Sequence, residues 1–299
     1  MKLSKNTIKR NLLAYTFLVP TFLILILFQF YPMVHAFILS LWDYSPLSKT
    51  NTFVGLDNFK RLLDDPHFWL ALKNSILYLI VVPVIIVLSL ALAIVVEPRI
   101  PFINFFRACY YIPVVTMMVV VALAWKFIFD TDLGILNHLL KQTGFISEGI
   151  PWLTSPHIAL FTVMTVTVWK GLGYYMVIFI VGLRAIPQQL LEASMIDGAR
   201  PFQTLIHVKI PMLWHSITLI AIISSISALQ VFEEIYMMTN GQLNTSTLVF
   251  HIYDVGVSMQ HGGVLEMGYA CAMGVVLFML LFVFSFLTIK TMGRFHTTE

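Results

Sequence analysis

Long apolar runs separated by short charged stretches set the pattern of this chain. A hydrocarbon layer about 30 Å thick is crossed by about 20 apolar residues in a helix, because only a helix or a closed barrel satisfies its own backbone in lipid. Six stretches meet that requirement: residues 12–41, 74–96, 108–129, 158–183, 212–232 and 268–289. Strict alternation of apolar and polar positions is missing, which argues against a barrel. The first stretch is over-long and carries Pro20 and Pro32, so its outer part is expected to be kinked or interfacial. The pattern therefore predicts an all-α polytopic membrane protein with six transmembrane helices. Residues 1–11 form an N-terminal segment, 12–289 the membrane domain and 290–299 a tail.

Composition agrees with lipid as the main solvent: 59% of the 299 residues are hydrophobic and 11% charged, against about 45–50% and about 25% in soluble domains. A net charge of +3 is too small to suggest a nucleic-acid partner. The start of the chain, with Lys2, Lys5, Lys9 and Arg10 before an apolar run, has the look of a signal peptide. The run is too long for one, and no small-residue cleavage site ends it, so it reads as a retained first helix.

Charge placement orients the helices. With the N-terminus in the cytoplasm, Arg99 and Arg107, then Arg184, Arg200 and Lys209, then Lys290 and Arg294 all fall on the same side. Acids such as Asp57, Asp130, Glu148, Asp254 and Glu266 collect on the other. The first outer loop runs against the trend with Lys49, Lys60, Arg61 and Lys73, but the asymmetry of the whole chain decides. Both termini are expected to be cytoplasmic. Trp42, Trp69, Trp125, Trp152 and Trp214 lie near helix ends or in outer segments, where amphipathic rings prefer to sit; Trp169 does not.

Residues 184–211, between the fourth and fifth stretches, are predicted to form a bent cytoplasmic structure. Pro187 can open a helix, residues 190–196 continue it, Asp197-Gly198 ends it and Pro201 opens the next. Phe202, Leu205, Ile206 and Lys209 then keep helical spacing until Pro211. No catalytic arrangement is present there, so docking to a partner is its natural use.

This segment resembles the E-A-A-x3-G-x9-I-x-L-P loop of ABC importer permeases. Glu192, Ala193, Gly198 and Pro211 match at the required spacing, while Ser194, Val208 and Ile210 stand at its Ala, Ile and Leu positions. The resemblance covers nearly the whole chain and is nearest to the sugar-transporting group. It includes G-L-D-N-F from Gly55, F-W-L-A-L-K-N-S from Phe68, F-R-A-C-Y-Y-I-P from Phe106, W-K-F-I-F from Trp125, V-W-K-G from Val168 and G-Y-A-C-A from Gly268. Thr239-Asn240-Gly241-Gln242 departs from the Gly-Gly-Pro turn of many relatives. The resemblance implies that Glu192, Ala193, Ser194, Asp197, Gly198 and Ala199 form a coupling helix seated on an ATPase. It also implies a second, similar permease, two ATPase subunits that bind ATP and Mg²⁺, and an extracytoplasmic solute-binding protein. The expected location is the bacterial cytoplasmic membrane.

Charges within the apolar runs mark a candidate pathway. Lys170 sits near the middle of the fourth stretch, where an unpaired charge costs at least about 2.5–3.5 kcal/mol, so it must face protein or water. Trp169, Tyr174 and Tyr175 lie close by. A cation and aromatic faces in a wet cavity suit a sugar, with its apolar ring faces and rim of hydroxyls. The alternative reading has Lys170 bonded to a neighbouring helix and the rings packed. Gln230, Glu233 and Glu234 fall within a helical turn at the end of the fifth stretch, followed by Asn240; they can bind hydroxyls or simply mark a helix end in water.

Cys109 and Cys271 lie in apolar runs and give no disulfide or metal pattern, and His251 with Asp254 lacks further ligands at metal spacing. No G-x4-G-K-[ST] phosphate loop occurs, so no cofactor is expected on this chain and its energy must come from a partner. No cluster of catalytic side chains at one depth points to an enzyme. An ion-coupled secondary transporter or channel subunit remains the alternative. The outer loops are acidic and the last has no Lys or Arg, which favours a di- or oligosaccharide over a glycerol-phosphate.

Overall fold

The computed structural model describes residues 5–48, 51–97, 102–258 and 265–293. Lys2, Lys49, Arg99 and Arg294, which entered the orientation argument, lie outside the described residues. In chain order the helices are α1 (Lys5–Leu25), α2 (Tyr31–Leu39), α3 (Asp57–Asp64), α4 (Pro66–Leu77), α5 (Val81–Val96), α6 (Ile103–Val115), α7 (Met118–Ile128) and α8 (Ile135–Gln142). They continue as α9 (Ala159–Arg184), α10 (Gln188–Ile196), α11 (Pro201–Thr204), α12 (Ile210–Met212), α13 (Trp214–Leu229), α14 (Glu233–Met238), α15 (Leu248–Gly256) and α16 (Met267–Gly293). Two short strands, β1 (Trp42–Asp43) and β2 (Thr52–Phe53), pair antiparallel with Trp42 opposite Phe53.

Among the described residues, four continuous helical stretches are long and apolar enough to cross a bilayer: Tyr15–Leu39, Pro66–Val96, Ala159–Arg184 and Met267–Thr288. Two further pairs qualify only if a bend is allowed within the span, α6 with α7 at 99° and the segment Pro201–Met212 with α13 at 68°. The continuous third stretch read from the sequence is thus divided. Pro113 has no N–H to give the preceding turn, and Thr116 and Met117 then adopt extended ψ values of 135° and 137°. The first stretch keeps its helical hydrogen bonding past Pro20, and a wider π turn over Ile26–Phe30 absorbs the N–H that Pro32 lacks.

The described residues form two compact units, one within Met1–Asp65 and Ile252–Phe278, the other within Pro66–His251 and Met279–Glu299. In the first, none of the most apolar part of Tyr15–Leu39 is buried, so its side chains are available to lipid or to another subunit. One end of this unit is tied by polar contacts. Asn58, from the G-L-D-N-F segment, donates to the Ser40 and Trp42 carbonyls at 2.9 and 3.0 Å. Arg61 pairs with Glu266 at 2.8 Å and lies over the Tyr269 ring, whose hydroxyl donates to Asp65 at 2.6 Å. A side chain at Gly268 would run into the Trp42 carbonyl oxygen, which explains a glycine there.

In the second unit α5 and α9 pack along each other, with α6, α13 and α14 against them. Its core holds Tyr78, Ile85, Val163, Val166, Met176, Phe179, Ile220 and Ile235. Gly173 lets α9 approach the Tyr110 carbonyl of α6 so closely that a Cβ would overlap it, the small-residue contact expected of helices packed in lipid. Polar side chains clamp the loops between these helices. Asn74 donates to the Asn244 and Ser246 carbonyls at 2.7 and 2.8 Å, and the Leu248 N–H donates to the Ser75 hydroxyl at 2.8 Å. Asn137, fully buried, donates to the Thr131 and Ile150 carbonyls and accepts from Trp152 Nε1 at 2.9 Å.

Candidate functional site

The turn that follows α9 is ordered almost entirely by its own backbone. After α9 ends, Pro187 takes an extended ψ of 129° and opens α10. At the far end Gly198 adopts φ +76°, its N–H bonds the Met195 carbonyl at 3.1 Å, and the Ala199 N–H bonds the Ser194 carbonyl at 3.0 Å. These paired bonds are the Schellman arrangement that closes a helix C-terminus around a left-handed residue. The next helix starts at once: the Arg200 N–H bonds the Gln203 side chain at 2.8 Å, and Pro201 occupies the first helical position.

Ser194 joins the two arms. It is 8% exposed, donates to the Leu191 carbonyl at 2.8 Å and meets the Thr204 hydroxyl at 3.3 Å. The surrounding residues face outward: Glu192, Ala193, Asp197 and Gly198 are exposed, Ala199 is half-buried, and Ile196 is 87% exposed. Met195 and Phe202 are exposed as well, so the tip is an apolar patch flanked by the Glu192 and Asp197 carboxylates. The return arm departs from the regular helix expected of it. Between α11 and α12 it widens into a π turn over Leu205–Lys209, and the chain bends at Leu213.

A second candidate lies among the helices of the same unit. A cavity of about 360 Å³ is lined by Lys170 and Tyr174 from α9, Glu234 from α14, Ser224 and Ser227 from α13, and apolar groups of α5 and α6. Of the pathway residues expected from the sequence, the structure brings together Lys170, Tyr174 and Glu234. Trp169 points elsewhere: it is 40% exposed and sets its ring against the edge of Trp125 at 5.3 Å, in a group that continues to Phe129 and Trp152. Gln230, Glu233 and Asn240 do not line the cavity.

The sequence pattern puts Gln230, Glu233 and Glu234 within one helical turn, and the structure corrects this. Helix α13 ends at Leu229, Gln230 has φ −102° and ψ 13°, and Phe232 lies at φ −137° before α14 begins. Gln230 and Glu233 are exposed, while Glu234 is carried inward. Asn240 closes α14 with φ +51° and an N–H bond to the Ile235 carbonyl at 2.8 Å.

Sequence reasoning misses Thr167, Ser224 and Ser227. Small hydroxyls inside apolar spans are the available signal, but a weak one, because such groups usually bond their own helix backbone. Ser224 does so, donating to the Ile220 carbonyl at 2.6 Å. Thr167 meets the buried Tyr78 hydroxyl at 2.6 Å, and Ser227 lines the cavity beside Tyr174 and Tyr175. Among the described residues no three His, Cys, Asp or Glu side chains converge on a metal position.

Comparison with known proteins puts this geometry in context. The chain is similar to a probable ABC transporter permease of Pyrococcus horikoshii, 32% identical over 79% of this chain and 81% of the relative. It is also similar to a lactose transport system permease of Rhizobium radiobacter, 31% identical over 95% and 96%. A crystal structure of a bacterial alginate ABC transporter, in complex with an alginate pentasaccharide-bound periplasmic protein, shares its fold. The TM-score is 0.85 and the identity 20%, over 98% of each chain. Residues 68–291, which include both the turn and the cavity, match the model of the binding-protein-dependent transport system inner membrane component. With that match, and relatives aligned over most of their own length, the chain belongs to this family of multi-pass membrane permeases.

Proposed function

We propose that this chain is one of two permease subunits of a sugar ABC importer, forming half of the translocation pathway and receiving the work of ATP hydrolysis at residues 188–211. The observation that carries the reading is the exposed, self-ordered turn around Gly198, whose apolar tip and flanking carboxylates suit a seat on another protein. Glu192 is placed to pair with a basic residue of an ATPase subunit. Relatives whose names include lactose, arabinooligosaccharides and alpha-glucoside transport support a sugar as cargo.

Each bent helix pair is taken as one broken span, giving six crossings; an even number returns both termini to one side, and the Lys and Arg asymmetry makes that side cytoplasmic. A second permease completes the pathway, two ATPase subunits bind ATP and Mg²⁺ inside, and a solute-binding protein delivers the sugar outside. This chain carries the cargo contacts at Lys170, Tyr174 and Glu234. Co-purification tests the assignment: an intact complex should bring a nucleotide-binding subunit with it, and Glu192→Lys should leave the protein in the membrane while releasing that subunit. Transport by this chain in the absence of any ATPase would instead make it an ion-coupled carrier.

A further inference from the structure

We infer that the cavity between Lys170 and Glu234 is charge-balanced and selects uncharged sugars over uronates and other anionic sugars. The inference rests on the pathway reading above and gives it a substrate class. The two charges come from separate elements, α9 and α14, and both line the same cavity. Neither belongs to the ion pairs within 4.0 Å seen at Lys60 with Asp57 and at Arg61 with Glu266. Each is half-buried, open enough to meet a ligand and enclosed enough for its charge to matter.

Two of the hydroxyls around them are already engaged. Thr167 is held by Tyr78 and Ser224 by the Ile220 carbonyl. The ammonium and the carboxylate are left as the strongest groups for an incoming molecule, one purely a donor and the other purely an acceptor. A sugar hydroxyl both donates and accepts, so neighbouring hydroxyls can accept from Lys170 and donate to Glu234 together. The apolar side of the lining, from Val81, Ile85, Val114 and Ile223, offers surface for the C–H face of a ring.

An anionic sugar meets a different balance. Its carboxylate gains Lys170 but shares a small, poorly screened cavity with Glu234, and the like charge offsets the attraction. Removing the negative charge should leave a cavity with one unopposed cation.

Binding can be read by saturation-transfer NMR on the purified full complex without its solute-binding protein, so that only the membrane cavity discriminates. The probes are neutral di- and trisaccharides, each paired with the counterpart whose terminal sugar is a uronate. Wild type should show transfer to at least one neutral sugar and little to its uronate partner. Glu234→Gln should shift the uronate-to-neutral ratio upward about tenfold, Glu234→Asp should keep the wild-type preference, and Lys170→Gln should lower transfer to the neutral sugar without admitting the uronate. An unchanged ratio in Glu234→Gln, or a wild type that takes uronates equally, overturns the charge-balance inference and leaves the pathway intact. Transfer to none of the sugars in wild type removes the cavity as a sugar site, and the pathway reading falls with it.

Discussion

The turn at 188–211 and the cavity at Lys170 solve opposite problems with the same polar resources. In the turn, hydrogen bonds between residues close in sequence hold the backbone, so side chains such as Ile196 and Phe202 can face outward with nothing to cover them. In the cavity, side chains from α5, α6, α9, α13 and α14 must all arrive at one place, and Thr167 is spent on a bond to Tyr78 of another helical segment. The exposed surface is therefore built locally. The cavity depends on the packing of the whole unit.

Variants can separate the two. The largest effect is expected from Gly198→Trp: a bulky residue at φ +76° costs about 1–2 kcal/mol locally and fills the open space at the tip, so uptake should fall to background while purified protein still binds sugar. Loss of sugar binding in that variant would mean the two regions are not independent. Gly173→Leu attacks the other side. With the Tyr110 carbonyl in the way of any side chain, it should destabilise the second unit by about 2–4 kcal/mol, seen as a lower melting temperature in detergent.

Smaller changes sharpen the contrast. Ser194→Ala removes the contact between the arms and should cost about 0.5–1.5 kcal/mol, with faster proteolysis between residues 198 and 203 but unchanged melting of the helical core. Ile196→Ser, at a position with no packing to lose, should move stability by no more than about 0.5 kcal/mol. It should nevertheless weaken retention of the ATPase subunit during purification. If retention were unaffected, the apolar tip would not be the contact.

The same difference explains what the amino-acid sequence reveals by itself. Pro187, Gly198 and Pro201 specify the turn by local backbone rules, so its shape is legible in the order of residues alone. Lys170 is legible too, because a charge in an apolar run has few acceptable surroundings. Gln230 and Glu233 are misplaced by the apolar pattern because it implies one unbroken helix through residue 232, and the break after Leu229 rotates their neighbour Glu234 inward instead. Thr167 and Ser227 leave no trace, since a hydroxyl in a span looks the same whether it serves a backbone carbonyl, a tyrosine or a ligand. The segments shared with the permease family hold more structural information than their short motifs suggest: Asn58 and Asn74 each fix two backbone carbonyls of distant segments.

The contact between Ser194 and Thr204 has a mechanical meaning. One end of the turn leads into α9, which carries Lys170, and the other leads through the bend at Leu213 into α13, which carries Ser224 and Ser227. With its two arms fastened together, the turn would act as a yoke rather than a tether. On the proposed docking, a push delivered at its tip would pass in the same stroke into α9 and α13, two of the helices that line the cavity.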